Sequence, residues 1–111
     1  MYNYEAILLR VIDGDTVHLM VDLGMDVQVA CKCRLWGINA PEMNTDEGKK
    51  AKAYLEGMLP LGCRILVRTF KDRKEKYGRY LVIISSNDKD EIWSINEKMI
   101  AAGHAVRYMD T

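Results

Sequence analysis

The sequence lacks net charge, a pairable set of cysteines, partnered histidines and any long apolar run, and each shortage removes a class of protein. Sixteen Lys and Arg offset sixteen Asp and Glu, so overall charge does not draw the chain to nucleic acid, whose phosphates are bound through excess Lys and Arg. The opening MYNYEAILLRV has no basic stretch ahead of an apolar block, and Arg10 cuts that block. Neither a signal peptide nor a membrane helix fits, and a cytoplasmic setting is expected, in a phage or bacterial protein by its brevity. Cysteine occurs three times, at Cys31, Cys33 and Cys63, which excludes a disulfide framework. Cys31 and Cys33 share one face of a strand and read as buried apolar fillers. A zinc site would need four ligands at other spacings, and His18 and His104 have no partner histidine at helical separation.

What is present fits one soluble globular domain. At 111 residues, 49% of them hydrophobic and 29% charged, the chain supports a single core that buries roughly 60–70% of its unfolded surface. Repeats, low-complexity tracts and linkers are missing, and residues 1–111 read as one unit, with a monomer favoured. The charges are sorted along the chain. Asp13, Asp15, Asp22 and Asp26 crowd the first quarter, whereas Arg64, Arg68, Lys71, Arg73, Lys74, Lys76 and Arg79 lie together against only Asp72 and Glu75. One pole seeks cations and the other anions.

Alternation of apolar and polar residues predicts strands over Tyr4–Ile12, with Ile7, Leu9 and Val11 on one face, and over Val17–Leu23. Asp13-Gly14-Asp15 between them supplies the Asp-Gly pair favoured in tight hairpins, where glycine tolerates positive φ. After a turn at Gly24 and Asp26, a third strand sends Val27, Val29, Cys31, Cys33 and Leu35 one way and Arg34 the other, toward the side a barrel leaves open to ligand. Pro41 ends the extended stretch that follows. A helix runs from Thr45 or Asp46, either of which can cap it, to about Met58, with Ala51, Tyr54, Leu55 and Met58 on its apolar face. Pro60 and Gly62 stop it. A fourth strand spans Arg64–Phe70 and a fifth Arg79–Ile84, with Glu91-Ile92-Trp93 as a short run that can pair with the fifth. Asn96 can cap a last helix through Ala102, stopped by Gly103. Three strands, a helix, two strands and a terminal helix is the order of a five-stranded OB-like barrel, mainly β. Trp36 and Trp93 read as packing residues.

Carboxylates separated by one residue at a turn, Asp13 and Asp15, suit a hard cation that takes oxygen ligands. As an EF-hand loop the segment fails, because Val17 and His18 stand where a ligand and a glycine are required. Glu42 lies just beyond the strand that carries Arg34, and Arg79 adds a second guanidinium before the fifth strand. Two guanidiniums and a glutamate have a joint logic. Phosphodiester hydrolysis builds negative charge on phosphoryl oxygens, which fixed cations stabilise while a carboxylate deprotonates the attacking water.

Three blocks, Ile12-Asp13-Gly14-Asp15-Thr16-Val17, Arg34-Leu35-Trp36-Gly37-Ile38-Asn39-Ala40-Pro41-Glu42 and Lys76-Tyr77-Gly78-Arg79, together resemble the signatures of the staphylococcal nuclease (thermonuclease) family, in order and in register. The resemblance continues through Asn96-Glu97-Lys98-Met99-Ile100 and Ala102-Gly103-His104-Ala105, and is to a short form without the family's C-terminal helical extension. It implies a calcium-dependent nuclease acting on DNA or RNA and leaving 3′-phosphate and 5′-hydroxyl ends. Arg34 and Arg79 would be the catalytic arginines and Glu42 the carboxylate acting on water. Asp15 would bind calcium, the Ala40 carbonyl would supply a backbone ligand, and Asp13 would stand behind them. Lys76 and Tyr77 would hold a terminal phosphate. Asn39 departs from the pattern, standing where the family has a second calcium-binding aspartate, so weakened calcium binding is expected. Tyr108 falls near, and by simple alignment not at, the position of the tyrosine lining the family's nucleotide pocket. The alternative is an OB-type nucleic-acid-binding module whose turnover is weak or lost through Asn39. A protein-interaction barrel is the third reading.

Overall fold

The computed structural model describes residues 2–71, 80–86 and 94–108. Strand β1 (Tyr2–Asp13) pairs antiparallel with β2 (Thr16–Gly24). The face expected for β1 is corrected: Ala6, Leu8 and Val11 are buried, and Leu9 is exposed. Leu8 faces Leu19 while Arg10 faces His18, so Leu9 is an extra residue with no partner of its own. Such a bulge reverses the parity of everything beyond it, which is why Val11 returns to the core. In β2 the alternation holds, with Val17, Leu19 and Val21 buried.

Met25 and Asp26 form the next turn, with φ of 54° and 62°. Left-handed geometry at both positions matches the twist of the flanking strands. Strand β3 (Val27–Leu35) then runs antiparallel to β2. Its apolar row enters the core only at its far end, where Cys33 and Leu35 are buried; Val27 and Val29 are exposed and Cys31 is half-buried. Arg34, of opposite parity, stays half-exposed as expected.

Beyond a two-residue strand β4 (Ile38–Asn39), helix α1 spans Asp46–Met58. Thr45 is its cap, accepting from the Gly48 amide at 3.0 Å. Gly48, Ala51 and Leu55 form the buried face. Tyr54, expected inside, is exposed and lies against the His104 ring, 4.7 Å between centroids. Strand β5 (Arg64–Lys71) buries Ile65 and Val67 and exposes Arg64, Leu66 and Arg68, as its alternation predicts. Strand β6 (Tyr80–Ser86) completes the barrel, closed in the order β1-β2-β3-β6-β5. Among the described residues every pairing is antiparallel except the seam between β3 and β6, where Cys33, Arg34 and Leu35 face Tyr80, Leu81 and Val82 in parallel. The order is that of an OB-like barrel. The run expected at Glu91-Ile92-Trp93 lies outside the described residues.

Helix α2 (Ile95–Ala101) is capped by Ser94, whose hydroxyl accepts from the Glu97 amide at 3.1 Å, and not by Asn96. Asn96 is buried and does something else. Its Oδ1 accepts from the Ile84 amide at 3.1 Å, and its Nδ2 donates to the carbonyls of Val82 and Trp36 at 3.0 and 2.9 Å. Past Val82 strand β3 has left the seam, and this one amide side chain satisfies backbone groups a neighbouring strand would otherwise have met. Gly103, with φ of 80°, ends the helix segment, and a last two-residue strand β7 (Val106–Arg107) pairs with β4.

The core is continuous from barrel to helices: Leu8, Leu19, Leu35, Val82 and Ile84 meet Leu55 of α1 and Met99 of α2. All three cysteines are free. Burial pushes the Cys33 thiol up to about 12, with Cys31 adding to the shift, so it stays protonated as an inert filler. Among the described residues no helix is long and apolar enough to cross a membrane.

Candidate functional site

The turn between β1 and β2 is drawn against α1 and β4, and glycine permits it by size. Gly14 has no positive φ, contrary to the expectation for an Asp-Gly turn. A Cβ there would sit 2.8 Å from the methyls of both Ala40 and Ala51. The turn can therefore press on the β4 end and the helix only without a side chain.

That approach brings Asp15 to Ala40. Asp15 Oδ2 accepts from the Ala40 amide at 3.0 Å, Oδ1 accepts from the Thr16 hydroxyl at 3.0 Å, and its carbonyl accepts from the Leu35 amide at 2.7 Å. The residue is only 9% exposed. Its pKa is pushed up to about 6, chiefly because burial penalises the charged form, with the neighbouring Asp13 acting the same way through a hydrogen bond and its charge. The hydrogen bonds from Ala40 and Thr16 pull in the opposite direction and are outweighed. Asp13 Oδ1 accepts from the Asp15 amide at 3.2 Å, which holds the two carboxylates on one turn.

Arg34 stands beside this turn, since Thr16 pairs with Arg34 across β2 and β3. Its Nη2 donates to the Ile38 carbonyl at 3.2 Å and to Asn39 Oδ1 at 3.3 Å. Its guanidinium lies over the Tyr108 ring, 4.7 Å from the centroid. Tyr108 is brought there from the far end of the chain by the β4 and β7 ladder and by its own amide, which donates to the Gly37 carbonyl at 2.8 Å.

Glu42 is placed by its backbone. Its carbonyl accepts from the Thr45 amide at 3.0 Å and the Thr45 hydroxyl at 2.6 Å. A Cβ on Gly48 would collide with that same carbonyl. The loop carrying Glu42 thus rests directly on the first turn of α1, and its side chain is exposed.

Of the residues singled out in the sequence, the fold gathers Asp13, Asp15, Arg34, Asn39 and Ala40 at one edge of the barrel with Tyr108 against Arg34, and seats the Glu42 backbone in the loop that follows. Arg79, Lys76 and Tyr77 lie outside the described residues; Tyr80, next after Arg79, pairs with Cys33 beside Arg34. Gly14, Gly48 and Thr16 were not anticipated as parts of the site. No pattern in the sequence announces a glycine needed for close approach, and Thr16 became visible only as the strand partner of Arg34.

Oxygen donors without sulfur or ring nitrogen suit a hard cation. The buried Asp15 carboxylate, with Asp13 raising its pKa further, is a negative charge that a cation would relieve. Asn39, by contrast, already spends its amide oxygen on Arg34. Among the described residues no group of three or more His, Cys, Asp and Glu is gathered around a point that could hold a metal.

A closed five-stranded barrel in this order, with an acidic turn beside an arginine at one edge, is an OB-like fold. The sequence profile of the family described as "Staphylococcal nuclease homologue" matches residues 32–111, and the chain belongs to that family. It is 35% identical to the endonuclease YhcR of Bacillus subtilis over 96% of its own length, which is 9% of that protein. It is 31% identical to an uncharacterized endonuclease of Escherichia coli O157:H7, over 91% of this chain and 59% of the other. A protein of Methanocaldococcus jannaschii, MJ1439, is 29% identical over 96% of this chain and 60% of its own length. The chain therefore spans less than two thirds of each of these relatives.

Proposed function

We propose that the chain hydrolyses phosphodiester bonds in DNA or RNA and depends on calcium to do so. The observation that carries this reading is the meeting of Arg34 with the Asp15 and Ala40 pair, held together from three separate stretches of sequence. The names of the Bacillus and Escherichia relatives support it.

In this reading Arg34 binds the phosphoryl oxygens and neutralises the charge that grows on them, and Arg79 is a second guanidinium for the same group. Glu42 takes a proton from water as its oxygen bonds to phosphorus. The bond from phosphorus to O5′ breaks, O5′ takes up a proton from solvent, and the products carry a 3′-phosphate and a 5′-hydroxyl. Asp15, the Ala40 carbonyl and Asn39 would hold calcium, with Asp13 behind them. Calcium, when bound, supplies positive charge next to the phosphate oxygens. Lys76 and Tyr77 bind a terminal phosphate.

The test is hydrolysis of single-stranded DNA with calcium, with chelator, and by Arg79→Ala. Activity should fall in the second and third conditions, and indifference to both would remove the reading. A second reading, a binding module with weak or lost turnover, is favoured by the contact from Arg34 to Asn39, which occupies the amide oxygen calcium would need. Asn39→Asp should raise calcium affinity or activity in a weakened enzyme. An oligonucleotide bound by both parent and Asn39→Asp, and cut by neither across a calcium titration, would select the binding module.

A further inference from the structure

An arginine that must meet a phosphate in one orientation has a long, flexible side chain to restrain. Arg34 is restrained from two directions. At its tip, Nη2 is fixed to the Ile38 carbonyl and to Asn39 Oδ1. Across its face lies the Tyr108 ring, 4.7 Å from the guanidinium carbon to the ring centre. Nε and Nη1 make no hydrogen bond among the described residues.

The two restraints belong to one device. Strand β4 supplies both acceptors for Nη2, and β7, which delivers Tyr108, is paired to that same strand through Ile38 with Arg107 and Asn39 with Val106. The Tyr108 amide is tied to the Gly37 carbonyl at 2.8 Å. A two-residue ladder at the far end of the chain therefore sets a ring against the guanidinium it grips. Stacking a planar cation on an aromatic face leaves its in-plane N–H groups open to charge-assisted hydrogen bonds with phosphate oxygens.

We propose that Tyr108 is a positioning residue for Arg34, holding the plane of the guanidinium so that the N–H groups of Nε and Nη1 are left for the phosphate before substrate arrives. The proposal rests on the reading of Arg34 as the phosphate-binding arginine. Tyr108 acts through Arg34, and the ring face turned to the guanidinium is not a platform for a base.

Two measurements on the full chain test this. The first does not involve hydrolysis: the side-chain proton resonances of Arg34 should be displaced by the ring current of Tyr108, remain displaced in Tyr108→Phe, and lose the displacement in Tyr108→Leu. Resonances identical in all three proteins would overturn the proposal. The second is kinetic. Tyr108→Leu should lower kcat by about 3- to 30-fold with Tyr108→Phe within about twofold of the parent, the range a stacked cation contributes. In an Arg34→Ala background Tyr108→Leu should cost nothing further, measured as residual turnover and as affinity for a single-stranded oligonucleotide. A loss that persists undiminished in that background means Tyr108 touches the substrate itself, and the proposal falls. Circular dichroism of each variant establishes that the fold is retained. A parent chain that cuts nothing sinks the nuclease reading alone, because the resonance comparison still decides whether Tyr108 holds Arg34.

Discussion

Replacing Asp15 with asparagine should stabilise the metal-free protein at neutral pH and leave its stability near pH 4 almost unchanged. The carboxyl is buried, and its pKa in the folded chain is about 6 against an ordinary value of 3.8. A folded-state value above the unfolded one means that folding favours the protonated acid. Below pH 4 both states are protonated and the site costs nothing; between pH 4 and 6 the unfolded chain ionises first, and the fold loses stability as pH rises; above 6 the loss is complete and constant. At roughly 1.4 kcal/mol per unit, the full difference is on the order of 3 kcal/mol. Sharing of charge with Asp13 and residual contact with water bring the expected effect to about 1–3 kcal/mol. Asparagine can keep the local bonds, its oxygen accepting from the Ala40 amide and its NH2 donating to a rotated Thr16 hydroxyl. The assay is urea denaturation in chelator at pH 4, 5, 6 and 7.5. The gap between variant and parent should open between pH 4 and 6 and then stay level. Calcium should restore stability to the parent at pH 7.5 and not to the variant, through its preference for the folded site. Parallel stability curves across the whole range, or a variant weaker than the parent at pH 7.5, would refute the argument that Asp15 is an uncompensated buried charge.

Other substitutions probe the supports of the site. Asn96→Ala strands the Ile84 amide and removes two further bonds, and should destabilise by about 2–4 kcal/mol in thermal or urea unfolding. A change below about 0.5 kcal/mol would show that the seam does not need it. Gly48→Ala drives a methyl into the Glu42 carbonyl. It should lower kcat by about tenfold or more while calcium affinity stays close to the parent's, because Glu42 shifts and Asp15 does not. Equal losses in both quantities would mean that α1 as a whole has moved.

The strands whose two faces differ in polarity were legible. In β5 the arginines at 64 and 68 leave only one face for the core, and the alternation reads correctly. In β1 both parities are apolar, Ala6 and Leu8 on one side and Ile7 and Leu9 on the other, and nothing local marks Leu9 as the bulged residue. The choice is made by pairing with β2, which is a tertiary fact. Asn96 misleads for a similar reason. An asparagine at a helix start reads as a cap, yet Ser94 caps equally well, and the demand of the Ile84 amide draws Asn96 inward. For the site, the residue types suggested phosphate chemistry, but their assembly was visible only through family resemblance. The bond from Ala40 to Asp15 joins positions 25 residues apart, and the closeness that makes it possible depends on what Gly14 omits.

The parallel seam has a consequence for when the site can exist. Among the described residues three pairs zip β3 to β6, and their partners lie farther apart along the chain than those of the β1–β2, β2–β3 and β5–β6 hairpins, so this joint closes after the hairpins. Arg34 is one of the three. A folding chain that has formed its hairpins but not this zip already carries Asp15 and Arg34, and does not yet hold them in the arrangement of the closed barrel. The arrangement of Arg34 with β4 and the acidic turn therefore arrives with closure of the barrel, and a fluctuation that unzips the joint releases Arg34 from its strand partner.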